Sequence, residues 1–313
     1  MKDNYLKNLK IISKGRNNLK IKFCYKNKFY VVKYYSKYKN SFLRFRKEFF
    51  FLSLIKNKIN NVPQIILSDK KNKFIVYPFI KGYEVKNIKK RTLLECLSFL
   101  NSIQIYKKHY FKLNSKIKYA TDKSLSLYDF VLLAKKKIKS IKNKNICRHN
   151  IFIKNFIDNK IEPSFQNLYN YLLNKYKNDL YKKFKEQSLI LSPSDFNFQN
   201  TIKYNNKIYF FDFEYLGLDS PLKLICDFLC QPDHPISNKI RIKCCKYFIK
   251  KDFLNLRQDL IDDFLLLNRI KWCLIILNYS LKNKNSNKNF YLYFEKSLRY
   301  YDKYIKNKCI KIL

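Results

Sequence analysis

The sequence predicts an α+β protein in two parts. An antiparallel five-stranded sheet with one inserted helix comes first, and a longer, mostly helical remainder follows. Three observations carry that expectation. Alternating or β-branched runs, separated by Asn- and Lys-rich turns, fill roughly the first 80 residues. One segment of helical period, residues 42–55, interrupts them. Past Gly82 the period becomes helical, broken by a strand–turn–strand pattern at residues 201–211.

The elements follow in order. Leu9-Lys10-Ile11-Ile12 is a short apolar strand, and Ser13 to Asn18 is a polar turn. Leu19-Lys20-Ile21-Lys22-Phe23 alternates with period two, as a half-buried strand does. Asn27-Lys28 signals a turn, and Phe29 to Tyr35 is β-branched and aromatic, hence a third strand. Phe42, Phe45, Phe49, Leu52 and Ile55 recur at helical spacing behind Ser41, which is placed to cap the helix. Val62-Pro63-Gln64 ends that pattern. Residues 65–67 and 74–77 supply two more strands around a polar turn. Helices are predicted over 88–106, 125–141 and 163–185, with 143–159 as a charged, irregular link. Residues 189–192 lead into a loop at 193–199. The hairpin 201–204 and 207–211 turns at Asn205-Asn206. From Asp227 onward the pattern is helical, and 252–278 is its most apolar stretch.

Composition narrows the function. The chain has 313 residues and a formal net charge of +43, with 47% hydrophobic residues, so it can bury a core and is not a disordered basic tail. No apolar run is long enough to span a bilayer, and the first residues lack a signal-peptide core, which predicts a cytoplasmic protein without a membrane partner. The charge invites a nucleic-acid reading. However, only nine of the 66 Lys and Arg are Arg, the Lys are scattered, and Lys, Asn, Ile, Tyr and Phe together mark AT-rich codons. Base-reading surfaces lean on the planar fork of Arg, so compositional drift accounts better for the charge. Nine Cys without a C-x-x-C, mostly in apolar surroundings, read as reduced buried thiols.

Only three glycines occur, Gly15, Gly82 and Gly217. In so glycine-poor a chain they are expected where φ is positive or where something approaches closely.

One constellation carries chemistry. Ser192-Pro193-Ser194-Asp195 is followed by Asn200, the hairpin, and Phe211-Asp212-Phe213-Glu214. Asp195 and Asn200 have the D-x4-N spacing of a kinase catalytic loop, in which the Asp orients the attacking hydroxyl. Asn200 and Asp212 would hold Mg²⁺ against the phosphates, and the hairpin brings Asp195, Asn200 and Asp212 to the same end of the sheet. Lys33, on the third strand, fits the Val-x-x-Lys position that reaches the α/β-phosphates. Glu48 in the next helix is its partner, or else pairs locally with Arg44 at i−4. Glu214 reads equally as a second metal or water ligand and as a solvated strand-end acid.

In this order the residues resemble the aminoglycoside phosphotransferase family within the choline-kinase-like small-molecule kinases. The resemblance covers nearly the whole chain. It rests on Gly15-Arg16-Asn17-Asn18, Lys33, Glu48, residues 77–82, residues 191–200, Phe211 to Tyr215, Leu222–Leu229 and the segment from Lys271. It implies a two-lobed protein-kinase-like fold, with residues 1–80 as the nucleotide-binding lobe. Residues 81–313 then carry the catalytic loop, metal site and acceptor-binding helices. It also implies ATP and Mg²⁺, phosphates covered by Gly15, Arg16 and Asn17, and an adenine-binding hinge at Tyr77 to Ile80, including Phe79. The γ-phosphate would pass to a hydroxyl of a sugar, amino alcohol or aminoglycoside-like acceptor.

Pro193-Ser194 stands where the family has His-Gly, which leaves a nucleotide-binding scaffold with a decayed loop as the alternative. Arg269 and Trp272, one helical turn apart, read as an acceptor-pocket wall or as a core Trp beside a snorkelling Arg. The basic composition favours a neutral or anionic acceptor over a polycation. His234 reads as a surface turn residue or as a liner of the cleft mouth.

Overall fold

In this computed structural model the described residues are 7–14, 18–35, 40–86, 88–144, 151–251, 256–282 and 287–310. They divide into two units, Met1–Thr121 with Ile190–Asp219, and Asp122–Leu189 with Ser220–Leu313. The first unit contains the expected sheet: β1 (Lys7–Lys14), β2 (Asn18–Tyr25), β3 (Lys28–Tyr35), β4 (Leu67–Asp69) and β5 (Phe74–Pro78). The order is β1-β2-β3-β5-β4, and every pairing is antiparallel. β4 starts at Leu67 rather than Ile65, because Ile65 turns into the core while the chain is still leaving Pro63.

The two-residue turn between β2 and β3 is Lys26-Asn27, at φ 47° and 59°. Asn205-Asn206 turns the later hairpin at φ 45° and 57°. Both match the twist of a hairpin, and Asn tolerates that region because its short amide bonds locally. Left-handed turns in this chain therefore rarely need glycine. Gly82 and Gly217 both have ordinary φ, contrary to the first expectation from their scarcity. They are sites of close approach instead. A Cβ on Gly82 would strike the Ile202 side chain and lie 2.6 Å from the Lys203 carbonyl oxygen. On Gly217 it would strike the backbone of Tyr119 and Ala120, 2.7 Å from the Tyr119 oxygen.

Helix α1 (Ser41–Leu54) has Asn40 at its N-cap position, at φ 66° and with no side-chain cap bond, and Ser41 is already helical, so the predicted cap is one residue out. The predicted apolar stripe is also displaced. Phe42 and Phe49 are 41% and 36% exposed, and the buried face is Ser41, Arg44, Phe45, Lys47, Glu48, Phe51 and Leu52. Three charged groups face inward because each finds a partner there, as the site shows below.

The unit is completed by β6 (Tyr83–Glu84), α2 (Lys90–Ile103), α3 (Lys107–Phe111), α4 (Ser115–Lys118), β7 (Ile190–Ser192), the hairpin β8 (Thr201–Tyr204)–β9 (Lys207–Phe210), and β10 (Gly217–Asp219). β6 pairs with β8, and β10 pairs with β7. An aromatic stack holds these pieces. Phe99 of α2 lies 4.2 Å from Phe210 and 6.1 Å from Phe196, and Phe51 of α1 lies 4.8 Å from Phe213.

The second unit is helical: α5 (Leu127–Lys142), α6 (Ile151–Phe156), α7 (Glu162–Tyr176), α8 (Pro221–Leu229), α9 (Asn238–Lys250), α10 (Gln258–Lys282), α11 (Asn287–Tyr301) and α12 (Asn307–Ile310). A capping box of Ser126 and Asp129 starts α5. The predicted irregular link is helical from Ile151 onward. It runs through a π turn, Ile157–Ile161, into α7, just ahead of Pro163, which has no N–H to donate backward. The last helical region starts at Pro221, not Asp227, because the Ser220 hydroxyl caps Leu222 and Pro suits the first turn. His234 is 6% exposed, so it is not a surface turn residue. Among the described residues no helix is long and apolar enough to cross a membrane. Among the described residues no two cysteines form a disulfide, and every described cysteine but Cys24 is buried; Cys147 lies outside the described residues.

Because the Gly217 site is closed by backbone, not by a movable side chain, Gly217→Ala should destabilise the protein by about 1–3 kcal/mol. Denaturant unfolding measures this, and an unchanged midpoint would mean that the β7–β10 region adjusts freely.

Candidate active site

The alternation of β3 buries Val31, Lys33 and Tyr35 on one face, leaving Lys33 1% exposed. A buried ammonium is tolerated only with acids against it. Lys33 Nζ lies 2.5 Å from Glu48 Oε2, 2.6 Å from Asp212 Oδ1 and 3.7 Å from Glu214 Oε2. The Tyr35 hydroxyl donates to the same Glu48 oxygen at 2.6 Å. Burial alone would lower the Lys33 pKa. Asp212, Glu48 and Glu214 reverse this and raise it well above the ordinary lysine value. Burial raises the Glu48 pKa, and Asp212 and Glu214 add to the rise against the pull of Lys33. For Asp212 burial is outweighed by Lys33 and Lys20, and the carboxyl is held well below the usual carboxylate range.

Local structure aims these groups. Asp212 leaves β9 at φ 71°, a left-handed conformation that costs of order 1–3 kcal/mol outside glycine. Phe213 fixes the turn from below by packing on Phe51, so its neighbours Asp212 and Glu214 reach the charged cluster. Glu214 is 3% exposed, which removes its reading as a solvated strand-end acid. It accepts from Asn18 Nδ2 at 2.5 Å and lies 3.4 Å from Arg44 Nη1. Arg44 also donates to Asn18 Oδ1 at 3.1 Å. The local Arg44–Glu48 pair is therefore not the arrangement adopted. Lys47 donates to the carbonyl oxygens of Tyr119 and Leu216, tying α1 to the stretch that follows Glu214.

Asp195 is half-buried, and two amides grip its carboxylate. Asn197 Nδ2 donates to Oδ1 at 2.6 Å and Asn200 Nδ2 to Oδ2 at 3.2 Å. Phe196 and Phe198 alternate with these polar residues and point into the core. The Asn200 carbonyl accepts from Phe211 N–H at 2.9 Å, which joins the catalytic-type loop to the residue before Asp212. The loop is anchored without the missing His. Ser194 N–H donates to the Ser192 hydroxyl at 3.1 Å, and the Ser194 hydroxyl donates to the Thr121 carbonyl at 3.2 Å. Ser194 has φ 66°, at the position where the resembled loop carries Gly.

In the proposed hinge segment Tyr77 is buried. Pro78 has no N–H, and Phe79 N–H is already bonded to the Phe29 carbonyl at 2.9 Å. The Lys22 ammonium lies 4.1 Å from each of the Phe29 and Phe79 ring centres. Gly15, Arg16 and Asn17 lie outside the described residues.

Carboxylate oxygens of Glu48, Asp212 and Glu214 fall within 4.8 Å of one another. Such hard oxygen donors suit Mg²⁺ or Ca²⁺ chemically, and Asp212, with 19% side-chain exposure, is the outermost of the three.

No protein-family model matches the sequence, and no curated protein matches it significantly. Solved structures do match. A choline kinase from Cryptosporidium parvum aligns over 97% of this chain and 92% of its own, at 18% identity and a TM-score of 0.57. A spectinomycin phosphotransferase solved with ADP and spectinomycin aligns over 95% and 89%, at 14% identity and 0.60. The choline kinase of Streptococcus pneumoniae aligns over 96% and 94%, at 12% and 0.55. This chain has the kinase-like α+β fold of choline kinases and aminoglycoside phosphotransferases.

In this kinase-like chain the side chains of the two acceptor-side candidates take different partners. Trp272 Nε1 donates to Asp227 Oδ1 at 3.0 Å, alongside Asn268 at 3.0 Å and Lys271 at 2.6 Å. The Arg269 guanidinium sits 5.0 Å over the Tyr304 ring. Half-buried Asp227 takes the Trp272 indole while Tyr304 takes the Arg269 guanidinium. Sequence reading assigns Lys20, Tyr35, Lys47 and Asn197 no role in this region, places Asn18 only with the phosphate-covering turn, and gives Arg44 only a local pairing with Glu48. One signal was present: charged residues at the inward positions of the α1 helical period.

Removing the central ammonium should expose the conflict among the acids. Lys33→Met leaves Glu48 buried without its cation and should cost about 3–5 kcal/mol near pH 7. A group whose folded pKa lies above its unfolded value contributes stability at low pH and loses it as pH rises. The Lys33→Met penalty should therefore shrink as pH falls toward about 5. Unfolding curves across that range with no such trend would contradict the assignment of Lys33 as the counter-charge.

Proposed function

We propose that this protein transfers the γ-phosphate of Mg-ATP to a hydroxyl group of a small molecule. The observation that carries the reading is the Asp195 carboxylate, held by Asn197 and Asn200 and joined through Asn200 and Phe211 to Asp212 and Lys33. A hydroxyl is a poor nucleophile, and it is activated by a carboxylate that orients it and takes its proton as the bond forms. Asp195 has that role. The two amides fix its direction at no cost in added negative charge. Asn200 and Asp212 would hold the divalent cation, with Glu214 as a further ligand to it or to its water. Bound there, the cation neutralises phosphate charge.

Lys33, oriented by Glu48, binds the phosphates as a point charge. The segment Tyr77 to Ile80 serves the adenine. With Phe79 N–H bonded to Phe29, the groups left for it are the Pro78 and Phe79 carbonyls and the Ile80 N–H. Gly15, Arg16 and Asn17 cover the phosphates in the same scheme. Residues 1–80 act as the nucleotide lobe, and residues 81–313 supply the catalytic loop and acceptor-binding helices. The kinase-like fold, shared with proteins solved with ADP and with a small-molecule acceptor, supports this reading. The net charge of +43 favours a neutral or anionic acceptor, such as a sugar, over a cationic one such as an aminoglycoside.

A phosphate-transfer screen with ATP and Mg²⁺ over sugars, amino alcohols and aminoglycosides tests the class. Once an acceptor is found, Asp195→Asn should lower kcat by about 10²–10⁴ while leaving ATP affinity within a few-fold. A variant that turns over like wild type would remove Asp195 from the mechanism.

A further inference from the structure

Lys20 is unusual in where it points. It stands directly opposite Lys33 in the β2–β3 ladder, two residues after Asn18. Like charges facing each other across a ladder are destabilising, so this pair needs a reason. Lys33 is fully buried, whereas the Lys20 side chain is 24% exposed. Both ammoniums converge on one carboxylate, Lys33 on Asp212 Oδ1 at 2.6 Å and Lys20 on Oδ2 at 3.3 Å.

The charges of the cluster divide unevenly. Arg44 answers Glu214, and Lys33 answers Glu48. Asp212 is the acid that Lys20 touches, and Lys20 shares it with Lys33. If Asp212 turns its charge to a divalent cation, Lys20 keeps its own charge and loses its counter-ion. An ammonium in that position calls for an anion with several oxygens, within reach of the one that Lys33 binds.

We propose that Lys20 is a second phosphate-binding cation, paired across the strand with Lys33, and that both pass from Asp212 to the polyphosphate oxygens of a nucleotide. The inference rests on the phosphotransfer reading but assigns a residue that reading does not use. Two ammoniums at neighbouring ladder positions form a clamp whose spacing is set by the sheet, not by loop ordering. Its specificity is for a polyphosphate chain over a nucleoside.

Calorimetric titration of adenosine, ADP and ATP, with and without Mg²⁺, tests it on wild type, Lys20→Met and Lys20→Arg. Inorganic tripolyphosphate serves as a probe free of the base. Wild type should bind ATP more tightly than adenosine. Lys20→Met should weaken ATP and tripolyphosphate about tenfold or more, the scale of one charge-assisted hydrogen bond, and leave adenosine within twofold. Lys20→Arg should recover most of the loss. If Lys20→Met binds ATP as wild type does, or weakens adenosine as much as ATP, Lys20 is structural and the proposal fails. If wild type binds no ATP at all, the phosphotransfer reading falls, and this proposal falls with it. Thermal unfolding of the unliganded variants separates folding loss from ligand loss, and Lys20→Arg keeps the test decisive should Lys20→Met unfold.

Discussion

A lysine ammonium with 1% exposure can exist only where acids are built around it, and Lys33 sets that condition for its whole unit. Desolvating a charge costs several kcal/mol unless partners are close and well aimed. Glu48 must come from α1, Asp212 from the end of β9, and Glu214 from the turn beyond it. Each of those elements is therefore placed by the same charge. The inward faces of α1 and β3 look wrong as apolar stripes for this reason. Arg44, Lys47 and Glu48 occupy positions that a core helix normally gives to Leu or Ile.

Aromatic rings supply the rigidity that the charges require. Polar and aromatic residues alternate in Asp195-Phe196-Asn197-Phe198 and in Asp212-Phe213-Glu214. Phe196, Phe198 and Phe213 are all buried, so the polar residue beside each is held at the surface of that core. Truncating a buried Phe typically costs 3–5 kcal/mol, more than the order 1–3 kcal/mol of a left-handed Asp or Ser. The packing can thus hold Asp212 and Ser194 in conformations their own backbones resist. A glycine at either place would relax the local geometry and also release it.

Much of the first unit was legible because strands with period two and a helix between them leave a strong pattern. The order of Lys33, Glu48, Asp195, Asn200 and Asp212 was legible for the same reason: each sits at a fixed offset from an element boundary. What escaped has a physical cause in each case. β6 and β10 are two and three residues long, too short for any period. The buried face of α1 was misplaced because Phe42 and Phe49 follow the helical spacing while charged residues, held by partners distant in sequence, take the inside. The place of Lys20 becomes visible only when β2 is laid against β3, and the grip of Asn197 only when the loop is closed, since no local pattern marks either. Ser194 shows that a His-Gly position can be refilled by hydroxyl bonds to Ser192 and Thr121, which a motif comparison registers only as a loss.

The overall charge of +43 and the local charge of this cluster follow separate rules. Scattered surface lysines are screened over about 8 Å at physiological salt, so they act little on a buried site. Inside the cluster Lys20, Lys33 and Arg44 are matched by Glu48, Asp212 and Glu214, one acid for each base. Such a balance holds only while each acid keeps its partner. Bringing in a divalent cation and a polyphosphate adds charges of both signs at once, and the cluster can accept both by exchanging partners instead of desolvating new groups. A cluster whose charges are paired before it fills, and that takes in cation and polyphosphate together, lowers the burial penalty at both stages, and under the phosphotransfer reading three acids and three bases, not an excess of lysine, mark the place of the phosphates.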